Sequence, residues 1–266
     1  MNLQNITEQV ITIAKEAGNF ISNERKNFDP ATIEQKGHSA NLVSYVDKEA
    51  EKILVNTLKK IIPSAGFITE EGTVAQRSNE EYCWVIDPLD GTTNFLHNVP
   101  LFSTSIGLLK GDELVSGVVY DISRDEMFSG WKNGGAYLNE KQIKVSGAQS
   151  INESLIATGF PYYQFENMQN YLSILVELMK DCHGLRRCGS AAIDLAWVAA
   201  GRFDGYFEYN INSYDIAAGC LILSEAGGIS TNFKGGSEYL FARNVIASNS
   251  KIHQQFQEIV ARNWGK

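Results

Sequence analysis

Asp87 and Asp90 stand three residues apart in the stretch WVIDPLDGTTNF, residues 84–95, and a glycine and two threonines follow them directly. Carboxylates this close repel each other unless a cation lies between them. Hard cations such as Mg²⁺ take oxygen ligands and bridge to phosphate oxygens. Gly91 lets the chain bend where a side chain would clash. Thr92-Thr93-Asn94 can open a short helix, whose first N–H groups suit an anion. One stretch can therefore present two acids and an anion cradle side by side. A plain Asp-Gly turn accounts for the same residues equally well.

Two further segments put acids at the ends of elements. GFITEEG, residues 66–72, runs a short strand into Glu70-Glu71 before a glycine. SYDIAAGCLILSEAGG, residues 213–228, puts Asp215 at the start of an apolar helix. Taken singly, the first reads as a surface turn and the second as a helix cap, a position that Asp favours. Taken together, the three segments carry acids where sites on α/β scaffolds are built. A two-metal site needs several acids to hold cations about 3.5–4 Å apart. Spacing alone does not bring these acids to one place.

The elements that would position them follow from periodicity. Leu3, Ile6, Val10, Ile13, Ala14, Ala17, Phe20 and Ile21 fall on a helical period, as do Val46, Ala50, Ile53, Leu54, Leu58 and Ile61 before Pro63. Between these helices lies NFDPATIEQKGHSANLVS, long and rich in breakers, as mobile functional loops often are. Strands are expected around Gly66–Thr69, Tyr82–Ile86, Phe102–Leu109, Leu114–Tyr120 and Glu126–Trp131, with Asp87 at the end of the second and Gly111-Asp112 turning a hairpin. After KVSGAQSINES the texture changes. Strand-like runs at Leu155–Thr158, Gly205–Glu208 and Val245–Ser248 alternate with helical runs at Asn167–Lys180, Ala191–Ala200, Ile216–Ala226 and Ile252–Asn263. The expectation is an α+β domain over 1–145 and an α/β domain over 146–266.

Composition narrows the function. At 266 residues and 44% hydrophobic content, the chain can bury a large core without disulfides or a structural metal. A net charge of −8 argues against general binding to nucleic acid or to an anionic membrane. The four cysteines form no CxxC pair. Glu8, Lys15 and Glu16 interrupt the first apolar pattern, so it does not read as a signal peptide, and no run is long enough to span a membrane. A cytoplasmic protein with reduced thiols is expected. No GxGxxG, Walker loop or GxSxG elbow is present, and His38, His97, His183 and His253 form no zinc spacing.

TEEG, WVIDPLDGTTNF and SYDIAAGCLILSEAGG, in that order, together with GSAAIDLAWVAAGRFDGYFE at 189–208, make the chain resemble the inositol monophosphatase family. The resemblance spans nearly the whole chain. It implies a layered αβαβα sandwich, a homodimer, two or three Mg²⁺ ions, lithium sensitivity and a small phosphate monoester as substrate, most simply myo-inositol 1-phosphate. By the same resemblance, Glu70, Asp87 and the Leu89 carbonyl would hold a first ion, and Asp87, Asp90 and Asp215 a second. Glu70 would also help hold a weaker third ion through water. Gly91 and Thr92 would cradle the phosphate. Glu70 and Thr92 would position the attacking water, with Asp47 behind them. Gly189, Ser190, Ala191 and Glu208 would form the wall that meets the substrate's hydroxyls, with Asp90 and Asp215 beside it. Lys36 could add positive charge. Ser190 stands where Thr is common and Asn212 where some members have His, and both changes bear on the leaving group.

The same chemistry could serve the 2′-phosphate of NADP(H), the 3′-phosphate of an adenosine bisphosphate, or fructose 1,6-bisphosphate. A reading of another class makes the chain a regulatory partner of the transcription machinery.

Overall fold

A computed structural model describes residues 1–26, 28, 34–35, 42–43, 45–77, 79–162 and 166–265. Two large sheets organise it. The first has seven strands in the order β3-β4-β5-β6-β7-β8-β9: β3 (Gly66–Thr69), β4 (Tyr82–Asp90), β5 (Ser103–Lys110), β6 (Glu113–Asp121), β7 (Glu126–Trp131), β8 (Gly135–Leu138) and β9 (Lys141–Ile143). It is antiparallel except where β3 runs parallel to β4. The second is mixed, in the order β11-β10-β12-β14-β13: β10 (Leu155–Thr158), β11 (Gly184–Arg186), β12 (Gly205–Tyr209), β13 (Gly228–Thr231) and β14 (Asn244–Asn249). A separate two-residue pair, β1 (Glu34–Gln35) and β2 (Leu42–Val43), precedes them.

Side-chain alternation makes both faces of each sheet apolar, so each sheet must be covered twice. On β4, Trp84 and Ile86 pack under α1 (Leu3–Lys26) and α2 (Tyr45–Ile61), while Cys83 and Val85 face the middle of the molecule. On β12, Tyr206 faces the same middle layer, and Phe207 packs outward against α4 (Met168–Asp181) and α7 (His253–Trp264). The middle layer is α5 (Ala191–Ala199) and α6 (Ser213–Glu225). The result is an αβαβα sandwich.

Helix α6 is buried without a break from Ile216 to Leu223, as expected of a helix that is apolar on all sides. It lies close on the first sheet because small residues face one another. A Cβ on Gly117 would lie 2.6 Å from the Ala218 carbonyl oxygen, and one on Gly107 3.0 Å from the Ala217 Cβ. This contact brings the N-terminal end of α6, with Asp215, towards the end of β4.

The structure corrects the expectation that Asp87 ends a strand. Pairing runs on to Asp90, with a register shift: Asp87 pairs Ser105 and Asp90 pairs Ser103, three steps against two. The extra residue is a bulge, and Pro88 is tolerated there because a bulge needs no regular ladder hydrogen bond. Strands β8, β9, β11 and β13, each of three or four residues, are additions to the sequence reading.

Candidate active site

The bulge re-aims the end of β4. Asp87 is buried behind it, where its Oδ1 accepts from the Leu89 N–H at 3.0 Å. Leu89 turns its side chain into an apolar cluster with Phe95 and Phe102. Asp90 emerges into a cleft of about 370 Å³. Gly91 follows with φ 93°, left-handed backbone open to glycine, and starts the one-turn helix α3 (Thr92–Leu96). A Cβ on Gly91 would come within 3.1 Å of the Leu101 carbonyl oxygen and 3.2 Å of that of Gly189. Thr92 Oγ1 lies 2.9 Å from Asp47 Oδ1 and 3.0 Å from the Leu89 carbonyl oxygen, so its single proton serves one of the two at a time.

Other elements complete the walls. Glu70, just past β3, and Asp215, in the first turn of α6, line the cleft with Asp90, Gly91 and Thr92. The capping expectation for Asp215 is corrected in detail. Asn212 is the cap, and Asp215, three residues on, accepts from the Asn212 N–H at 2.7 Å. Gly189, Ser190 and Ala191 form the wall at the start of α5. Glu208, on β12, lines it from the second sheet and accepts from the Tyr206 hydroxyl. A Cβ on Gly159 would collide with the Glu208 carboxylate, which explains a glycine at that point of the wall.

The charges are frustrated. Burial, then the neighbouring Glu70, Asp90 and Asp215, holds the Asp87 carboxyl well above its usual range, and Asp87 is hydrogen-bonded to Glu70. Burial and the charges of Glu70 and Asp90 raise Asp215 in the same way. Asp90 is pushed up to about 6 by burial, against the opposing pull of Ser190, the Ala191 and Ala192 N–H groups and Arg187. Glu208 is pushed up to about 7 by burial, resisted by Tyr206 and Arg187.

This donor set fits a hard cation. It is all oxygen, and the mutual repulsion of four acids is what a cation relieves. Among the described residues, no three acidic, imidazole or thiol side chains stand close enough together to hold a metal ion by themselves. Glu70, Asp90 and Asp215 line the open cleft, and Asp87 lies buried behind them, hydrogen-bonded to Glu70.

Some residues escape the sequence reading. Asp194 lines the cleft, buried, with Oδ1 lacking a hydrogen-bond partner. An acid inside the apolar run AAIDLAWVAA is the signal for it. Arg187, Phe160 and Tyr162 stand at the rim, the guanidinium 5.8 and 5.4 Å from the two ring centres. No sequence signal separates them from ordinary surface residues. Of the histidines, His97 and His183 are exposed and His253 is buried. His38 and Lys36 lie outside the described residues.

Comparison with known proteins identifies the family. The profile of the inositol monophosphatase family matches residues 2–264. The Nus factor SuhB of Escherichia coli K12 is 41% identical over 243 residues, covering 91% of this chain and 90% of that protein. The inositol-1-monophosphatase of Rhizobium meliloti is 38% identical over 246 residues, 92% of each chain. The solved inositol monophosphatase of Anabaena superposes with a TM-score of 0.88 at 34% identity, covering 98% of this chain and 97% of that one. The fold and this match define a phosphatase hydrolase. The chain belongs to the inositol monophosphatase family.

Proposed function

We propose that the cleft hydrolyses a phosphate monoester, most simply myo-inositol 1-phosphate, to the free polyol and phosphate with Mg²⁺ bound. The carrying observation is the convergence of Glu70, Asp87, Asp90 and Asp215, from three separate segments, into one set of mutually repelling acids. Glu70, Asp87, the Leu89 carbonyl, Asp90 and Asp215 would hold two ions, and Glu70 would reach a weaker third. Bound there, the metal supplies positive charge and a water of lowered pKa. Glu70 and Thr92 would position the attacking water and relay its proton, Thr92 by passing its own hydroxyl proton on to Asp47. Gly91 and Thr92 hold the phosphate for in-line attack. Gly189, Ser190, Ala191 and Glu208 orient the polyol.

Free phosphate release tests this reading with inositol 1-phosphate, NADP(H), adenosine 3′,5′-bisphosphate and fructose 1,6-bisphosphate, each with Mg²⁺ and with chelator. Mg²⁺-dependent turnover strongest on inositol 1-phosphate is expected. A clear preference for one of the others would move the substrate but keep the site. Turnover untouched by chelator would overturn the metal reading. Lithium is expected to inhibit at millimolar levels by competing at the second ion position.

Further parts of this reading concern the whole chain. Two copies would pair, and Leu172, Val176 and Met179, exposed along one face of α4, offer an apolar stripe for it. The chain would divide at 145/146 into an α+β and an α/β unit, and work in the cytoplasm with its four cysteines reduced. Among the described residues no helix is long and apolar enough to cross a membrane, and Cys83, Cys182, Cys188 and Cys220 are unbonded. A second reading rests on the name of the 41% identical relative, a Nus factor. It gives the chain a regulatory contact with the transcription machinery, tested by whether the folded, inactive Asp87→Asn protein is still retained by RNA polymerase.

A further inference from the structure

Helix α2 carries two buried acids one turn apart, Asp47 and Glu51, on the face turned to the first sheet. Asp47 reaches Thr92. Glu51 has a different target. It is fully buried, and its carboxylate collects four donors from one five-residue segment. Its Oε1 accepts from Thr69 Oγ1 at 3.0 Å and from both the N–H and the hydroxyl of Thr73 at 2.7 Å. Its Oε2 accepts from the Glu71 N–H at 2.7 Å. Thr69 and Glu71 are the two neighbours of Glu70, and none of the four donors is a cation.

A charge buried without a cation is costly unless hydrogen bonds satisfy it. Here the donors that satisfy it belong to the turn that presents Glu70 to the cleft. The turn needs such an anchor. It leaves the sheet after Thr69, passes Gly72 at φ 64°, and keeps one ladder bond, from the Glu70 N–H to the Ile86 carbonyl at 3.3 Å.

We propose that Glu51 is the positioning residue for Glu70: it clamps the Thr69–Thr73 turn so that the Glu70 carboxylate is held ready for a cation beside Asp87. The proposal rests on the reading of Glu70 as a metal ligand. Groups that hold a ligand from behind commonly set metal affinity by ten- to a hundredfold. Substitution by Gln keeps the shape but not the clamp. With its oxygen in the place of Oε1, its NH₂ faces the Glu71 N–H. Turned over, its NH₂ faces all three donors from Thr69 and Thr73. Either way a donor meets a donor, and the turn loosens.

Full-length Glu51→Gln, Thr73→Val and Glu70→Gln test it beside the parent chain. Amide hydrogen exchange on the metal-free protein reads the turn. Calorimetric titration reads the Mg²⁺ dissociation constant, and phosphate release reads kcat and half-saturating Mg²⁺. In Glu51→Gln the Glu71 and Thr73 amides are expected to exchange at least about tenfold faster while the remaining α2 amides keep their protection. The Mg²⁺ dissociation constant is expected to rise about tenfold or more. Thr73→Val removes one donor on the surface of the fold, and is expected to shift the same readings in the same direction by less. It carries the test if Glu51→Gln does not fold. A lower melting temperature with Mg²⁺ affinity and turn exchange unchanged would overturn the proposal and leave Glu51 as packing alone. Parent-like Mg²⁺ binding in Glu70→Gln would instead overturn the ligand reading of Glu70, and the proposal with it. The exchange data separate these failures, because they report the clamp without metal or substrate.

Discussion

Ser190 Oγ donates to Asp90 Oδ2 at 2.6 Å, and the Ala192 N–H donates to the same oxygen at 2.8 Å, tying the end of β4 to the start of α5 across 100 positions of chain. Ser190 is also the cap of α5, accepting from the Ile193 N–H at 3.3 Å, and its Oγ lies 3.1 Å from that of Ser103. One hydroxyl therefore fixes an acid, a helix end and the wall of the cleft together.

Ser190→Ala removes that hydroxyl and leaves Asp90 with its backbone donors. A hydrogen bond to a charged group is worth about 1.5–3 kcal/mol. The expected outcome is a fall of about tenfold or more in kcat/KM, together with a drop in melting temperature from the lost cap. Phosphate release and thermal unfolding on the same preparation check both. Activity equal to the parent would show that the Ala192 N–H holds Asp90 by itself.

Asp87→Asn separates stability from function. A carboxyl whose folded pKa is raised contributes stability below its unfolded value, and that stability is lost as pH rises through the folded value. Asp87 is such a group, raised by burial and by three neighbouring acids. Without metal at neutral pH the parent carries this cost, and Asn relieves it while keeping an oxygen for the Leu89 N–H. The variant in chelator is expected to melt no lower than the parent, yet to lose turnover about a thousandfold, roughly 4 kcal/mol of barrier. Mg²⁺ is expected to raise the parent's melting temperature more than the variant's. A folded variant with near-parent Mg²⁺-dependent turnover would sink the shared-ligand assignment.

How much of this was legible in the sequence depends on range. Helices α1 and α2, and the strands through Trp84, Ile106, Val118 and Phe128, follow from local period, because one buried face or two dictate each residue in turn. The β4 bulge did not, since Pro88 and Gly91 read locally as a turn and only the pairing of Asp90 with Ser103 keeps the strand going. Strands β8, β9, β11 and β13 are too short to show a period. The acid-bearing motifs were visible one by one in the residues, and the family resemblance implied that they meet. Spacing alone could not show the meeting, because it depends on α6 lying close on Gly107 and Gly117. Glu51 stayed hidden because a buried acid on a helix looks like any other charged helix residue until its donors are seen.

His253 gives a pH test away from the cleft. It is buried, with Nδ1 2.8 Å from Ser248 Oγ and Nε2 3.0 Å from Thr231 Oγ1, and burial lowers its pKa. A depressed histidine favours the neutral ring in the folded state. Its stabilising effect is complete above the unfolded value of about 6.5 and is lost as pH falls towards the folded value. Between pH 7.5 and 5.5 the raised acids of the cleft add stability to parent and variant alike, and His253 subtracts from it in the parent alone. In His253→Gln the urea midpoint is expected to be lower at pH 7.5, and its deficit against the parent to narrow towards pH 5.5. An identical pH slope in both proteins would remove His253 from the account.

Glu208 decides between a polyol wall and a bystander acid. It faces the cleft from β12, bonded to the Tyr206 hydroxyl, with its carboxyl pushed up to about 7 by burial. An acceptor for substrate hydroxyls works best when ionised, and ionisation here falls inside the working pH range. For a polyol phosphate, kcat/KM is expected to rise as pH climbs through about 7. p-Nitrophenyl phosphate has no hydroxyls to place, so its profile should lack that limb. Glu208→Gln keeps the shape and loses the charge. The lost bonds predict about a ten- to hundredfold fall for the polyol phosphate and almost none for p-nitrophenyl phosphate, and the limb near pH 7 should vanish. Equal losses on both substrates would put Glu208 among the groups that serve the phosphate itself. No loss on either, with the limb intact, would leave the wall to Gly189, Ser190 and Ala191.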